Sequence, residues 1–533
     1  MLNKKGLSFV ISISLLLVLA ITAAVSLQVW FLDYQSQMFV DTEEQMEADS
    51  AKTGIKKFDG TILYFVNNGN SNIIAEEIKI GSNICVFSDN ELLPGLNLIN
   101  LSNCLYNMDT VEDIIVVTKY KIYSEPAMID PNYCYSLFLG NVSSYTLIAS
   151  NEGGFTDILA DSDNFYPVTY LGRLNGVDKT IAVGMYGSDD GGTDKGAIYI
   201  LFLYENNTVK SFIKINDTDL PTKFMDGDYF GSSLEYLGDY NSDGNVEVVV
   251  GAMGSDDGGV NNGAIYILSL NSTGNLVNYS KISAIEGSFD ATLNSGNFGT
   301  SISSWEVIDD GSRRIIVGAE SSRELYILSL YNNGNVESSV EINSSSTNYP
   351  TTVMVDGRFG ASVASIGDLD DDGNVDVVVG APGNTDPSSE DTGKVYVLFL
   401  NSSFGIKSWY EINDTTFLGD FESLDFFGES VSAFRDLDND GNIEIIIGAA
   451  GDEIPGPGVF DVGIVYVTYL NNNGSVKNFK KINTLSGDFA GELSNNDYFG
   501  YSATYLEDNE IIVGMRDFGT SSGKGGIYVF DLD

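Results

Sequence analysis

The feature that most constrains this chain is a unit that returns six times, in which a Phe-Gly-type strand is followed roughly twenty residues later by an apolar strand ending in Gly-Ala or a variant. The anchors are Phe230-Gly231 with Gly251-Ala252, Phe298-Gly299 with Gly318-Ala319, Phe359-Gly360 with Gly380-Ala381, and Phe427-Gly428 with Gly448-Ala449. Phe165 with Gly184-Met185 and Phe499-Gly500 with Gly514-Met515 are weaker copies. A period of 61 to 72 residues means a repeat architecture, in which each unit closes its apolar surface against its neighbours.

Each period holds four short β-branched or aromatic runs bounded by Gly, Asn, Asp and Ser. In the second copy they are Ser232 to Gly238, Glu247 to Gly251, Gly263 to Ile267 and Tyr279 to Ser283. Four strands per repeat predict the blades of a β-propeller. The last copy stops at Asp533 after its third run, and Tyr145-Thr146-Leu147-Ile148, ahead of the first full copy, reads as the missing fourth. That strand would complete the final blade and leave no free sheet edge. The expected fold is therefore mainly β: a six-bladed propeller over residues 133–533, with seven blades as the alternative.

The anchors resemble the FG-GAP repeats of integrin α-subunit propellers and of related microbial surface proteins, over about 390 residues. Integrin propellers have seven blades, so a count of six departs from the pattern. The second, fourth and fifth copies also carry that family's calcium loop. Its residues here are Asp239, Asn241, Asp243, Asn245 and Glu247; Asp368, Asp370, Asp372, Asn374 and Asp376; and Asp436, Asp438, Asp440, Asn442 and Glu444.

The chemistry of these loops also follows from the residues. Calcium takes six to eight oxygen ligands, and side chains at positions one, three and five converge only if the chain turns sharply, which the Gly at position six permits. Position seven can offer its carbonyl, and the acid at position nine closes the shell. That acid runs straight into Val248-Val249-Val250, Val377-Val378-Val379 or Ile445-Ile446-Ile447, so each loop joins two strands, unlike an EF-hand. Asp-Asn-Gly runs are also ordinary turns, but three copies at equivalent places favour three structural calcium sites. Asp309-Asp310-Gly311-Ser312 and Glu507-Asp508-Asn509, at the same place in the third and sixth copies, are too short to encircle an ion.

Lys and Arg number 27 against 75 Asp and Glu, a net charge of -48, which disfavours nucleic acid as a partner. The chain has no His, and so lacks the commonest general base and the usual Ser or Cys triads. A carboxylate pair acting on a polysaccharide is the catalytic alternative, though nothing in the sequence selects a pair. The expectation is a protein that is not an enzyme.

Leu7 to Leu32 carry no charge over 26 residues, long enough as a helix to span a bilayer, and Lys4-Lys5 precede them, which favours a cytoplasmic start. The junction Lys5-Gly6-Leu7-Ser8 resembles the processing site of archaeal type IV pilin and archaellin precursors, cut between Gly6 and Leu7. The resemblance implies a leader over 1–6, a helix over 7–57 that sits in the membrane before packing with copies of itself in a filament, and a small β-sandwich over 58–132. A plain membrane anchor is the alternative.

Cys85, Cys104 and Cys134 fall in or beside that sandwich, where two of them are candidates for a disulfide. Ten Asn-x-Ser/Thr sequons occur, at Asn100, Asn141, Asn206, Asn216, Asn271, Asn278, Asn343, Asn401, Asn413 and Asn473. Asn206, Asn271, Asn401 and Asn473 all lie at the turn between the third and fourth strands, where a glycan would be exposed. Strand alternation puts the calcium loops at one end of the ring. The resemblance to integrins places the partner, a cell-surface protein or glycan, at the other. The expected function is that of a pilin-like extracellular surface or filament subunit for adhesion. A membrane-tethered extracellular carbohydrate-active enzyme and a purely structural sheath protein are the alternatives.

Overall fold

The computed structural model describes residues 142–532 apart from 221–223, 307–312, 354–356, 384–391, 414–415, 417–423, 438–439, 453–460, 485–488, 490, 492 and 519–522, and, ahead of them, the backbone of nine strands. The chain divides into two compact units, Met1–Leu139 with Leu437–Asp440, and Gly140–Asp436 with Gly441–Asp533.

The second unit holds six antiparallel four-stranded sheets. Blade one is Phe165–Tyr170, Lys179–Met185, Ala197–Leu203 and Val209–Ile215, and blades two to five repeat that order. Blade six combines Phe499–Tyr505, Glu510–Met515 and Gly526–Leu532 with the early strand Val142–Ile148, which pairs with Gly526–Leu532 from Val142↔Leu532 to Ile148↔Ile527. The expected closing strand is present, and the count is six.

The repeated sequence anchors are the contacts that stack one blade on the next. A Cβ built on Gly251 would lie 2.1 Å from the Gly299 carbonyl oxygen of the following blade, and one on Gly380 would lie 2.0 Å from that of Gly428. The Gly of each Gly-Ala pair is thus demanded by close backbone approach. The Gly of Phe-Gly sits at φ of 90° to 95° in blades two to six, a region L side chains avoid. A serine hydroxyl of the first strand donates to the same carbonyl: Ser233 to Gly299 at 2.7 Å, Ser301 to Gly360 at 2.7 Å, Ser362 to Gly428 at 2.8 Å and Ser430 to Gly500 at 2.8 Å. Ser502 donates likewise to Tyr166 of blade one, so the seam between the sixth and first blades repeats the others.

Within each blade the Phe meets the Tyr of the third strand edge to face. Ring centroids are 5.3 Å apart for Phe230 and Tyr266 and 5.5 Å for Phe298 and Tyr326, with the same pairing in the other four blades. Second and third strands are almost wholly buried, as in Lys179–Met185 and Ala264–Leu270, because both faces meet other blades. Fourth strands such as Ile406–Ile412 alternate buried ends with exposed centres and form the outer wall.

In the first unit, Ile62–Asn67 pairs with Gly54–Asp59 and Gly95–Asn100, and Asp113–Thr118 pairs with Phe9–Ser14 and Ile73–Ile80. Phe9–Ser14 falls inside the segment expected to be helical, and its alternation of Ile with Ser suits a strand. Apart from that strand and residues 54–57, the expected helix lies outside the described residues, as do Gly6, Cys104, Cys134 and Asn141; Cys85 and Asn100 are described in backbone only. Gly54–Asp59 overlaps the helix expected over 7–57 and instead pairs antiparallel with Ile62–Asn67, from Gly54↔Val66 to Asp59↔Ile62. Among the described residues no helix is long and apolar enough to cross a membrane.

Candidate metal centres

The three acidic loops connect first to second strands and stand together at one end of the ring. In each, the Asp at position one accepts from backbone N–H groups across the turn. Asp239 accepts from Asp243 N at 2.9 Å and Gly244 N at 3.0 Å, Asp368 from Asp372 N at 2.9 Å and Gly373 N at 2.7 Å, and Asp436 from Gly441 N at 3.0 Å. Gly244, Gly373 and Gly441 have φ of 88°, 88° and 96°, with open space where a Cβ would stand, so position six needs glycine for its conformation alone.

An Asx-type turn would make those bonds without any ion. What it does not require is a buried acid, and position nine is buried in all three loops: Glu247 is 2% exposed, Asp376 0% and Glu444 1%. Asp376 accepts from Leu369 N and Leu400 N, both at 3.0 Å, yet burial still pushes its carboxyl up to about 6. Burial first, and then the charges of Asp243 and Asp239, push Glu247 up to about 7, and its Oε2 is buried with no hydrogen-bond partner. Carboxylates so crowded and desolvated are poised to accept positive charge.

Two of the loops bring three carboxylates together. One oxygen from each of Asp368, Asp370 and Asp376 lies within 4.8 Å of the others, and the same holds for Asp436, Asp440 and Glu444. In the fourth-blade loop Asp370 Oδ1 is buried without a hydrogen bond, while the Lys407 ammonium bridges Asp370 and Asp372. Asn374 Nδ2 donates to Asp372 at 2.6 Å. Asp438 lies outside the described residues, and Asn442 turns away to Leu470 O and Asn472. The second-blade loop forms no such three-carboxylate group; there Asn241 Nδ2 donates to Glu247 at 3.2 Å and Asn245 to Asp243 at 2.9 Å. The donor sets of blades four and five thus fit a hard divalent cation such as calcium, and that of blade two fits one if the Asn241 amide turns its oxygen inward.

Sequence reasoning does not find Lys407, which reaches its loop from the fourth strand, 37 residues from Asp370. Of the sequons, Asn206, Asn278 and Asn473 are exposed and Asn216, Asn271, Asn343, Asn401 and Asn413 partly so.

The FG-GAP repeat family pattern matches residues 230–268 and 359–398, the first three strands of blades two and four. The chain is 30% identical over 202 residues to integrin alpha-3 of Cricetulus griseus, covering 36% of this chain and 17% of that protein. It is 28% identical over 258 residues to integrin alpha-5 of Xenopus laevis, covering 46% and 22%. The matched part therefore spans about a fifth of the length of these curated relatives. A solved GH43 beta 1,3 galactosidase with galactodeoxynojirimycin overlaps 62% of this chain and 97% of its own at 11% identity and a TM-score of 0.34.

Proposed function

We propose that this chain is an extracellular surface or filament subunit that displays a calcium-stiffened propeller for adhesion. The observation that carries the reading is the set of acidic loops, with buried acids at position nine, standing on one end of a closed ring of FG-GAP repeats. Similarity to integrin α-subunits supports a place outside the cell. The uncharged run from Leu7 to Leu32 behind Lys5-Gly6 supports a pilin-like helix that is membrane-held first and then packs with copies of itself. Exposed sequons suit a glycosylated surface, and a chain without His suits binding rather than catalysis.

Asp368, Asp370, Asp372 and Asp376 would hold one ion, Asp436, Asp440 and Glu444 a second, and Asp239, Asn241, Asp243 and Glu247 a third. Calcium would add positive charge to these clustered carboxylates, which in blade four already have the Lys407 ammonium against them. Chelation should lower the melting temperature of the purified protein and added calcium restore it, and Asp440→Ala should remove about one bound ion per chain. Identical melts with and without chelator would end the calcium reading. For the surface role, N-terminal sequencing of protein taken from cells should begin at Leu7. An intact Met1, or cleavage beyond Leu32, would rule out the pilin-like helix.

A further inference from the structure

Val168, Leu234, Ile302, Val363, Val431 and Ala503, one residue from each blade, line both a cavity of about 340 Å³ at the acidic-loop end and one of about 270 Å³ at the other. These apolar residues form a waist shared by the two cups. The 270 Å³ cup is walled by the starts of first strands and the ends of second strands, and carries tyrosines and charged side chains.

Arg358 reaches into it from just before Phe359-Gly360 and is held at φ 53°, a conformation costly for a bulky residue. It spans three blades: Nε donates to Glu320 at 2.9 Å, and Nη1 and Nη2 donate to the two oxygens of Glu429 at 2.8 and 3.1 Å. The Tyr166 ring lies 4.9 Å from that of Tyr501 and 5.7 Å from that of Tyr186, and the hydroxyls of Tyr166 and Tyr186 meet at 2.5 Å. Arg516 stacks over Tyr498 at 3.9 Å and faces Tyr501 at 5.5 Å.

We propose that this cup binds a neutral sugar, the terminal residue of a glycan. The proposal rests on reading the propeller as a surface-binding module, and names the ligand class of its face opposite the acidic loops. A cationic ligand would have to displace Arg358, which already bridges Glu320 and Glu429, and the Tyr501 ring already faces Arg516. An anionic ligand would face two carboxylates. What remains suits hydroxyl groups: carboxylate lone pairs held in place by a two-toothed ion pair, phenol donors, and the half-buried Tyr186 ring, against which a sugar face can pack. The Glu429 charge foremost, and then burial, push the Tyr501 hydroxyl well above its ordinary value, which keeps it a donor. The volume falls below the usual range for drug-sized ligands and matches one sugar residue rather than a long segment.

The test uses the full chain, purified with calcium, on a glycan array that includes galactose-, glucose-, mannose- and N-acetylglucosamine-terminated glycans beside sialylated and sulfated ones, with a basic peptide as control. Retention of one neutral-terminated class is expected. Tyr186→Phe, which removes one hydroxyl, should weaken it about tenfold, as for one lost hydrogen bond. Glu429→Gln should weaken it at least as much, and melting curves check that each variant folds. Silence toward every neutral glycan, preference for the basic peptide or the sialylated glycans, or retention unchanged in both folded variants would each overturn the proposal. Cell adhesion separates this from the surface role. Adhesion that persists in the presence of free galactose, glucose, mannose and N-acetylglucosamine leaves that role standing and removes the sugar cup; wild-type protein that adheres to nothing removes the role itself.

Discussion

A carboxylate four residues before the Gly of the Gly-Ala or Gly-Met pair recurs in four blades, as Glu247, Asp376, Glu444 and Glu510. In blades two, four and five it backs an acidic loop. In blade six the loop is short, and the Lys179 ammonium of blade one stands against Glu510 at 2.5 Å, with Asn207 Nδ2 donating to the other oxygen at 2.8 Å. Lys179 is 5% exposed and Glu510 8%, so this is a buried pair at the seam that closes the ring. Lys179→Met, which strands the carboxylate, should cost about 3–5 kcal/mol in denaturant unfolding, and Lys179→Met with Glu510→Leu should recover most of it. Equal losses in the single and double variants would show that the pair does not act as a unit. Chelator should leave this difference unchanged, since the cation there is part of the chain.

Glu235 lines the 340 Å³ cup, and burial, opposed by bonds from Ser304 and the charge of Arg313, pushes its carboxyl up to about 7 from 4.5. Because the folded value is raised, its contribution to stability is complete below about pH 4.5 and is lost as pH rises through 7. With calcium saturating, so that the loop acids stay charged, Glu235→Gln should flatten that loss and be the more stable protein at pH 8, by roughly 1–3 kcal/mol. Parallel stability–pH curves for the two proteins would contradict it.

Among elements, the second strand is the one least able to change, because its Gly packs on the backbone of the next blade. Gly380→Ala places a Cβ 2.0 Å from Gly428 O and should cost roughly 3 kcal/mol or more. Gly227→Ala, at φ 83° with open space around it, meets only the left-handed penalty, about 1 kcal/mol. Urea melts of the two variants test the ranking, and a larger loss for Gly227→Ala would reverse the assignment of blade contact over conformation. The outer fourth strands, exposed at their centres, are the tolerant counterpart and carry the sequon Asn278.

For the second unit as a whole, stability depends on a closed ring. Truncation to begin at Gly140 keeps Val142–Ile148 and should leave a monomeric propeller. Truncation to begin at Ala149 removes the strand that pairs with Gly526–Leu532, exposes that edge and opens the seam. The shorter protein should self-associate, read by light scattering on a sizing column, with a clear drop in melting temperature. A monomer with an unchanged melt would mean that the early strand is dispensable.

The sequence alone determined the repeat, the four strands of each blade, the closing strand and the glycine at position six of each loop, and favoured six blades over seven. These are legible because each rests on residues that repeat: Phe-Gly, Gly-Ala and the third-strand Tyr encode one contact set six times over, and a left-handed turn is a property of the glycine itself. Only the tertiary structure decided which acids converge, since Asp436, Asp440 and Glu444 meet within 4.8 Å while Asp239, Asp243 and Glu247, at the same loop positions, do not. It also joined Lys179 to Glu510, 331 residues apart, and Arg358 to Glu320 and Glu429, 38 and 71 residues away on the neighbouring blades. Those pairings depend on how one blade stacks against the next and on where a single side chain departs from the repeat, and no local pattern in the chain specifies either.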